Sequence, residues 1–142
     1  MEPDRPLPQP MTPEAKPYWD ALKERKLMLP KCTDCGHIFF YPRILCPACH
    51  SRSIGWVQAS GKGRLHAFGI AHQTFNKAYK VPPPYVLAMV ELEEGPRMLS
   101  NLINVTPDPK TIKCDMPVEV VFHKLTDDLT VPLFQPAGKG GA

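Results

Sequence analysis

The sequence has few of the features that mark secreted, membrane-spanning or independently catalytic proteins. No apolar run approaches the ~20 residues that a membrane-spanning helix needs. Residues 1–11 hold acids and prolines where a signal peptide would carry an apolar segment. The serines are few, none lies in a nucleophile-elbow motif, and no glycine-rich phosphate loop occurs. We therefore expect a cytoplasmic protein with no membrane attachment that catalyses nothing alone.

The excess of positive over negative charge is also small. The net charge is +3, and the basic residues are scattered along the chain. This balance permits an anionic partner without indicating nucleic acid. A length of 142 residues with 43% hydrophobic residues allows one ordinary domain, or a small module joined to a larger one.

Cysteine is used in one pattern. Cys32 and Cys35 form one C-x-x-C pair, Cys46 and Cys49 form a second, and ten residues lie between the pairs. Two such turns complete a tetrahedral metal site. Disulfides or a redox motif are the alternatives, but nothing marks secretion, and redox C-x-x-C motifs normally occur once in an α/β context.

Four sulfur ligands also predict what the metal does. A hydrolytic zinc keeps one position open for water, and a four-thiolate site has none. We therefore predict one structural Zn²⁺; iron in a rubredoxin-like site is the alternative, since tetrahedral sulfur suits both metals.

The fold is predicted to be mostly β, with an N-terminal helix, a four-cysteine zinc ribbon and a five-stranded OB-fold barrel. Gly61-Lys62-Gly63 marks the boundary between ribbon and barrel. The predicted segments are a disordered Pro-rich tail at 1–11, the helix at 12–27, the ribbon at 28–60, the barrel at 61–136 and a disordered tail at 137–142.

Short strands are predicted throughout the ribbon and the barrel. His37–Tyr41 reads as a ribbon strand, and Tyr85–Leu92 is a nearly unbroken apolar run, typical of a buried strand. The last strand, Leu129–Phe134, contains Pro132, which cannot donate a ladder hydrogen bond and so predicts an edge position.

The predicted helix begins at Thr12, or near Lys16 with Pro17 in its first turn. Tyr18, Trp19 and Leu22 share one face. A helix this short needs tertiary packing. Its aromatic face either covers its own domain or projects into a partner chain, and the sequence leaves both open.

The loop 73–84 carries aromatics interleaved with lysines, followed by three prolines. Such a loop on a small barrel could stack a base and neutralise phosphates, either of a nucleic acid or of coenzyme A. A solvated loop stiffened by proline is the other interpretation. Arg97 and Asn101 could extend the site on one strand face. The candidate coenzyme A residues are Phe75, Lys77, Tyr79, Lys80, Arg97 and Asn101.

Candidates for direct catalysis are weak. Cys114 is the one thiol outside the predicted metal site, and we expect it to act as a small buried hydrophobe. His66, His72 and His123 fall in or beside predicted strands, where packing or surface roles are more common than base catalysis.

The combination resembles the family of rubredoxin-like zinc ribbons fused to an acyl-CoA-associated OB-fold. The resemblance covers roughly residues 12–136. It rests on Tyr18-Trp19, the two cysteine pairs, Gly61-Lys62-Gly63, Pro83-Pro84-Tyr85-Val86, Glu93-Glu94-Gly95-Pro96-Arg97, Met116-Pro117-Val118-Glu119-Val120 and Leu133-Phe134-Gln135-Pro136. This chain has Asp115 where the family usually has glycine, so a left-handed turn is expected there at some cost.

The resemblance implies a non-catalytic accessory subunit of a thiolase- or aldolase-type enzyme acting on acyl-CoA thioesters. The subunit would form a hetero-oligomer, hold it together and help shape a coenzyme A site shared with the partner. The alternatives are a single-stranded nucleic-acid-binding OB protein and, third, a stand-alone enzyme using Cys114 or His72.

Overall fold

The computed structural model describes residues 4–7, 12–74 and 76–138. The fold is mostly β, as predicted, with one short helix, a two-stranded ribbon sheet and a closed five-stranded barrel. Within the described residues no helix has the length and hydropathy needed to cross a membrane. The elements are α1 (Lys16–Lys23), β1 (Met28–Cys32), β2 (Ile54–Gln58), β3 (Lys62–Ala71), β4 (Tyr85–Leu92), β5 (Arg97–Leu102), β6 (Pro117–Thr126) and β7 (Leu129–Pro136).

Helix α1 is shorter than the predicted segment 12–27. It begins at Lys16, with Pro17 in its first turn. A helix tolerates proline there because its first N–H groups have no hydrogen-bond partner within the helix. Ala15 is the N-cap and makes no side-chain cap bond. Thr12, predicted as the capping residue, instead accepts the Ala15 N–H through its backbone carbonyl at 3.1 Å.

In the ribbon, β1 pairs antiparallel with β2 from Met28–Gln58 to Cys32–Ile54. The strand predicted at His37–Tyr41 is wrong: it is reduced to a single bridge between Lys31 and Ile38. The chain leaves the ladder because the rings of Phe40 and Tyr41 turn toward α1, where both contact Tyr18.

The barrel strands run in the order β3-β4-β5-β7-β6 and close through β3 and β6. β5 and β7 are parallel, whereas the other pairs are antiparallel. This is the five-stranded Greek-key closure expected for an OB-fold. Strand β4 occupies the predicted span and alternates, with Val86, Ala88, Val90 and Leu92 buried inside.

The edge position predicted for the last strand is wrong, because β7 lies between β5 and β6. Within the described residues, the β5–β7 ladder contains the pair Leu102–Phe134. The Pro132 carbonyl faces the same side and accepts a hydrogen bond from Ser100 Oγ at 2.8 Å. Pro132, which has no N–H to donate, therefore lies outside the described β5–β7 pairing and is contacted there by a side chain.

One hydrophobic cluster joins α1, the base of the ribbon and the barrel. Leu27 and Leu29 enter it from the ribbon side, and Leu65, Val118 and Phe134 enter it from the barrel. The Ala59 N–H donates to the Leu27 carbonyl at 2.8 Å where the chain leaves the ribbon. The ribbon is therefore anchored to the barrel by its base.

The predicted boundary Gly61-Lys62-Gly63 is a point of close backbone approach. Gly61 has a φ of +82°, and a Cβ there would lie 2.5 Å from Val120 Cγ1. A Cβ on Gly63 would lie 2.5 Å from the Glu91 carbonyl oxygen. These glycines let the chain enter β3 tightly between β4 and β6.

Candidate metal centre and nucleotide-binding loop

The two cysteine pairs form turns with the same hydrogen-bond pattern. In the first, the Gly36 N–H donates to the Cys32 carbonyl at 2.9 Å; in the second, the His50 N–H donates to the Cys46 carbonyl at 2.8 Å. Gly36 and His50 both have positive φ, 81° and 63°. The turns are thus internal copies, with His50 in the place of a glycine.

Further contacts hold the two turns side by side. The Thr33 N–H donates to the Ser53 carbonyl at 2.8 Å, and Ser51 Oγ donates to the Asp34 carboxylate. These bonds connect the start of the first turn to the end of the second. The sulfurs therefore converge without relying on a large apolar core.

The four sulfur atoms fit a tetrahedral metal ion. All four Sγ atoms lie within 4.8 Å of one another, and Cys32–Cys49 and Cys35–Cys46 are each separated by 3.6 Å. A zinc ion with Zn–S bonds of about 2.3 Å would place its sulfurs about 3.8 Å apart. The predicted metal ligands are therefore brought together as a set.

Backbone N–H groups donate hydrogen bonds to two of the cysteine sulfurs. The Cys35 N–H points at Cys32 Sγ at 3.5 Å, and this hydrogen bond is the largest of the causes that together lower the pKa of Cys32 to about 7. The Ala48 N–H points at Cys46 Sγ at 3.3 Å. Such N–H groups favour the thiolate, which is the form that binds a metal. Bound zinc would supply a cross-link between the two turns, with no position left for substrate.

Part of the loop predicted to bind coenzyme A packs against the barrel. Tyr79 packs against Tyr85 with ring centroids 4.8 Å apart, and Asn101 donates to the Val86 carbonyl at 2.9 Å beside them. Lys77 is exposed on the same loop. Phe75 lies outside the described residues.

An unpredicted residue completes this cluster. Arg5 lies over the Tyr79 ring, 5.5 Å from guanidinium carbon to centroid, and donates to Asn101 Oδ1 at 3.2 Å. The predicted disordered tail at 1–11 thus includes a described stretch that lies against the barrel. No local pattern could have indicated this, because Arg5 and Asn101 are 96 positions apart.

Arg97 is separated from the Tyr79 cluster. It lies at the opposite end of β5, about 13 Å from Asn101 at the usual strand rise. There its guanidinium approaches Glu91 at 4.0 Å, and Glu91 also binds Arg64 at 2.7 Å. Among the described candidates, Arg97 therefore does not share a pocket with Tyr79 and Asn101.

The helix face predicted for a partner interface covers the chain's own core. Tyr18 and Leu22 are fully buried, and Trp19 is 8% exposed with its indole N–H donating to Tyr41 Oη at 3.0 Å. Exposed apolar side chains lie instead on the ribbon and the barrel. These are Tyr41, Ile44 and Leu45 on the ribbon, and Leu87 and Leu99 on the barrel.

The remaining catalytic candidates are not assembled into a site. Cys114 is exposed, so the expectation that it is a buried hydrophobe is wrong; its turn between β5 and β6 leaves the side chain in solvent. His66 and His72 are exposed as well. His123 Nε2 lies 3.2 Å from Asp4 Oδ2.

The ribbon, the barrel and the four-sulfur centre define a two-module zinc-ribbon and OB-fold protein. A family model described as the ChsH2 rubredoxin-like zinc ribbon matches residues 19–55, and one described as the ChsH2 C-terminal OB-fold matches residues 56–123. A DUF35 domain-containing scaffold protein of Methanothermobacter thermautotrophicus is 37% identical, over 83% of this chain and 88% of that protein. This chain belongs to the ChsH2/DUF35 family, as the sequence resemblance predicted.

Other relatives are longer or carry different names. A probable enoyl-CoA hydratase alpha subunit of Thermomonospora curvata is 34% identical over 92% of this chain, which spans 40% of that protein's length. A solved structure titled Ltp2-ChsH2(DUF35) aldolase superposes with a TM-score of 0.81 at 32% identity, covering 92% of this chain and 99% of the matched chain. A DUF35 structure from Sulfolobus solfataricus, 16% identical with a TM-score of 0.61, covers 89% of this chain and 87% of its own and shares the fold.

Proposed function

We propose that this chain is a non-catalytic zinc-binding subunit of a cytoplasmic enzyme complex that acts on acyl-CoA thioesters. The partner is an enzyme of the thiolase or aldolase type, with which the chain forms a hetero-oligomer. The chain holds that assembly together and helps shape its coenzyme A site. Catalysis belongs to the partner chain.

The observation that carries the proposal is the closed metal centre. All four cysteines point at one position, so the bound ion has no open site for water or substrate. Relatives named as scaffold proteins, and the match to a ChsH2 chain titled with an aldolase, support an accessory role. Longer relatives are named as alpha subunits of acyl-CoA hydratases, so a hydratase is the alternative class of partner enzyme.

The coenzyme A contact is proposed at the Tyr79 loop. Tyr79 and Tyr85 form an aromatic pair on which an adenine can stack, and Lys77 and Lys80 on the same loop can approach phosphates. Arg97 lies too far along β5 to share this contact and would serve a different part of the ligand or of the partner.

The test is co-expression with a thiolase-fold acyl-CoA enzyme from the same genome. We expect one complex in size-exclusion chromatography with light scattering, and higher acyl-CoA activity than the enzyme has alone. Ile44→Asp and Leu99→Asp introduce charge at exposed apolar positions that a partner would cover, and should weaken the complex. Lys110→Asp, at an exposed polar position, is the control. A chain that stays monomeric and leaves the enzyme's activity unchanged would contradict the proposal.

Nucleic acid is the second candidate ligand for this barrel, and the charge distribution favours it less. Glu91 neutralises Arg64 and approaches Arg97 on the outer face of β3–β5, which lowers the positive potential there. A nucleic-acid function would require single-strand affinity that falls steeply with salt. Binding of that kind, without any affinity for coenzyme A, would favour the alternative.

A further inference from the structure

Asp4 and Arg5, which precede helix α1 in the chain, lie across the Tyr79 loop. Arg5 covers the Tyr79 ring and reaches Asn101 Oδ1 on β5. The Arg5 side chain is only 12% exposed, a low value for an arginine. It also forms part of the wall of a cavity of about 210 Å³ beside Tyr85. The arginine is therefore built into the site and does not project from the surface.

Asp4 fastens this arginine to the barrel. Its carboxylate oxygen Oδ1 accepts the Arg5 Nε–H at 2.9 Å, and Oδ2 lies 3.2 Å from His123 Nε2 on β6. The Asp4 carbonyl accepts the Lys80 N–H at 2.7 Å. The hydrogen bond from Arg5 lowers the pKa of the Asp4 carboxyl, so the pair stays ionised at neutral pH. Asp4 and Arg5 thus connect the β3–β4 loop, β5 and β6.

This arrangement conflicts with stacking on Tyr79. A base or other planar group needs an open ring face, and Arg5 lies over one face of Tyr79. Tyr85 packs against the same ring at 4.8 Å with an interplanar angle of 42°. Both side chains therefore restrict access to the Tyr79 ring.

We propose that Asp4 and Arg5 form a strap that closes the Tyr79 ring face, and that a nucleotide-like ligand stacks there only after Arg5 has left. The ligand in this statement rests on the proposed function; the strap itself does not. When the strap is closed the ligand cannot stack on Tyr79. The apparent affinity for the ligand therefore equals the intrinsic affinity multiplied by the fraction of molecules in which the ring is open. A partner enzyme or a high ligand concentration would shift that fraction.

The first test compares coenzyme A binding by the full chain and its Arg5→Ala variant, using isothermal titration calorimetry. We expect about three- to ten-fold tighter binding in the variant, because the closed state is lost. Arg52→Ala removes the same charge at an exposed position and should leave the affinity unchanged. Measurable binding that is equal or weaker in the Arg5 variant would overturn the strap as a cover, since Arg5 would then be neutral or part of the ligand site.

The second test observes the strap without any ligand. Amide hydrogen exchange of Lys80, whose N–H donates to the Asp4 carbonyl, should accelerate in Arg5→Ala and stay unchanged in Arg52→Ala. Unchanged Lys80 exchange in the Arg5 variant would overturn the strap. Faster exchange of Lys80 combined with no coenzyme A binding in either protein would reject the proposed ligand and retain the strap.

Discussion

The ribbon and the barrel are stabilised by different means. In the barrel, inward side chains such as Leu65, Val90 and Phe134 are completely buried and form a continuous core. Residues 33–53, which connect β1 to β2, are mostly exposed, and their buried apolar side chains are Phe39, Pro42 and Cys46. A segment that small cannot bury enough apolar area to fold alone. We therefore expect metal binding to take the place of an apolar core in the ribbon, whereas the barrel has an apolar core of its own.

The largest expected effect follows from removing one sulfur ligand. Cys46→Ser should lose the bound metal, about one zinc per chain, and unfold the two cysteine turns, because zinc binding on the order of 10–16 kcal/mol drives their folding. Zinc content by atomic absorption and thermal unfolding would measure the change. Cys114→Ser, at an exposed cysteine outside the cluster, is the control and should keep its zinc. Retained zinc with unchanged stability in Cys46→Ser would contradict the assignment.

The barrel should respond to core truncation and not to metal. Phe134→Ala removes a fully buried ring and should lower the free energy of unfolding by about 3–5 kcal/mol. The loss should be the same with and without a chelator, as measured by denaturant unfolding of the barrel. Leu99→Ala, at a side chain that is 68% exposed, should change stability by less than about 0.5 kcal/mol. A Phe134 effect that disappears on chelation would mean that the barrel too depends on the metal.

The joint between the modules should tolerate no side chain. Gly61→Ala combines a left-handed backbone with a clash against Val120 Cγ1, and we expect a loss of about 1–2 kcal/mol or more. Gly69→Ala is the matched control in β3, where a Cβ would meet no heavy atom within 4 Å. Chemical denaturation would compare the two. Equal stabilities would show that the joint is not tightly packed.

The smallest effect is a gain of stability in the second cysteine turn. His50 occupies a left-handed position that glycine holds in the first turn. His50→Gly should relieve about 1–2 kcal/mol of backbone strain, reduced by the entropy of glycine to a net gain of about 0.5–1 kcal/mol. Zinc affinity measured by chelator competition should rise accordingly. Weaker zinc binding would show that the imidazole contributes in another way.

The local part of this fold could be predicted because the responsible signals are local. The C-x-x-C spacing fixed the metal ligands, and an apolar run marked β4. The left-handed turn expected at Asp115 is confirmed by its φ of 68°. Alternation in β3 was only partial because the ladder has a register shift between Leu65 and Ala67, which changes the side that each residue faces.

The parts that could not be predicted depend on contacts between distant segments. Met28–Cys32 is a strand only because β2 pairs with it, and its Pro30 and short length gave no strand signal. The Asp4–His123 contact joins residues 119 positions apart. The aromatic face of the helix packs into the chain's own core, which is a contact between distant segments that no local pattern specifies.

The most direct test of the metal's structural role is amide hydrogen exchange of the full chain before and after zinc removal by a chelator. We expect exchange in residues 32–53 to rise to near the unfolded rate, while β4 and β7 remain protected. Two results would contradict the account that the metal stabilises the ribbon alone. One is a loss of protection in β4 together with the ribbon, and the other is protection of residues 32–53 without zinc.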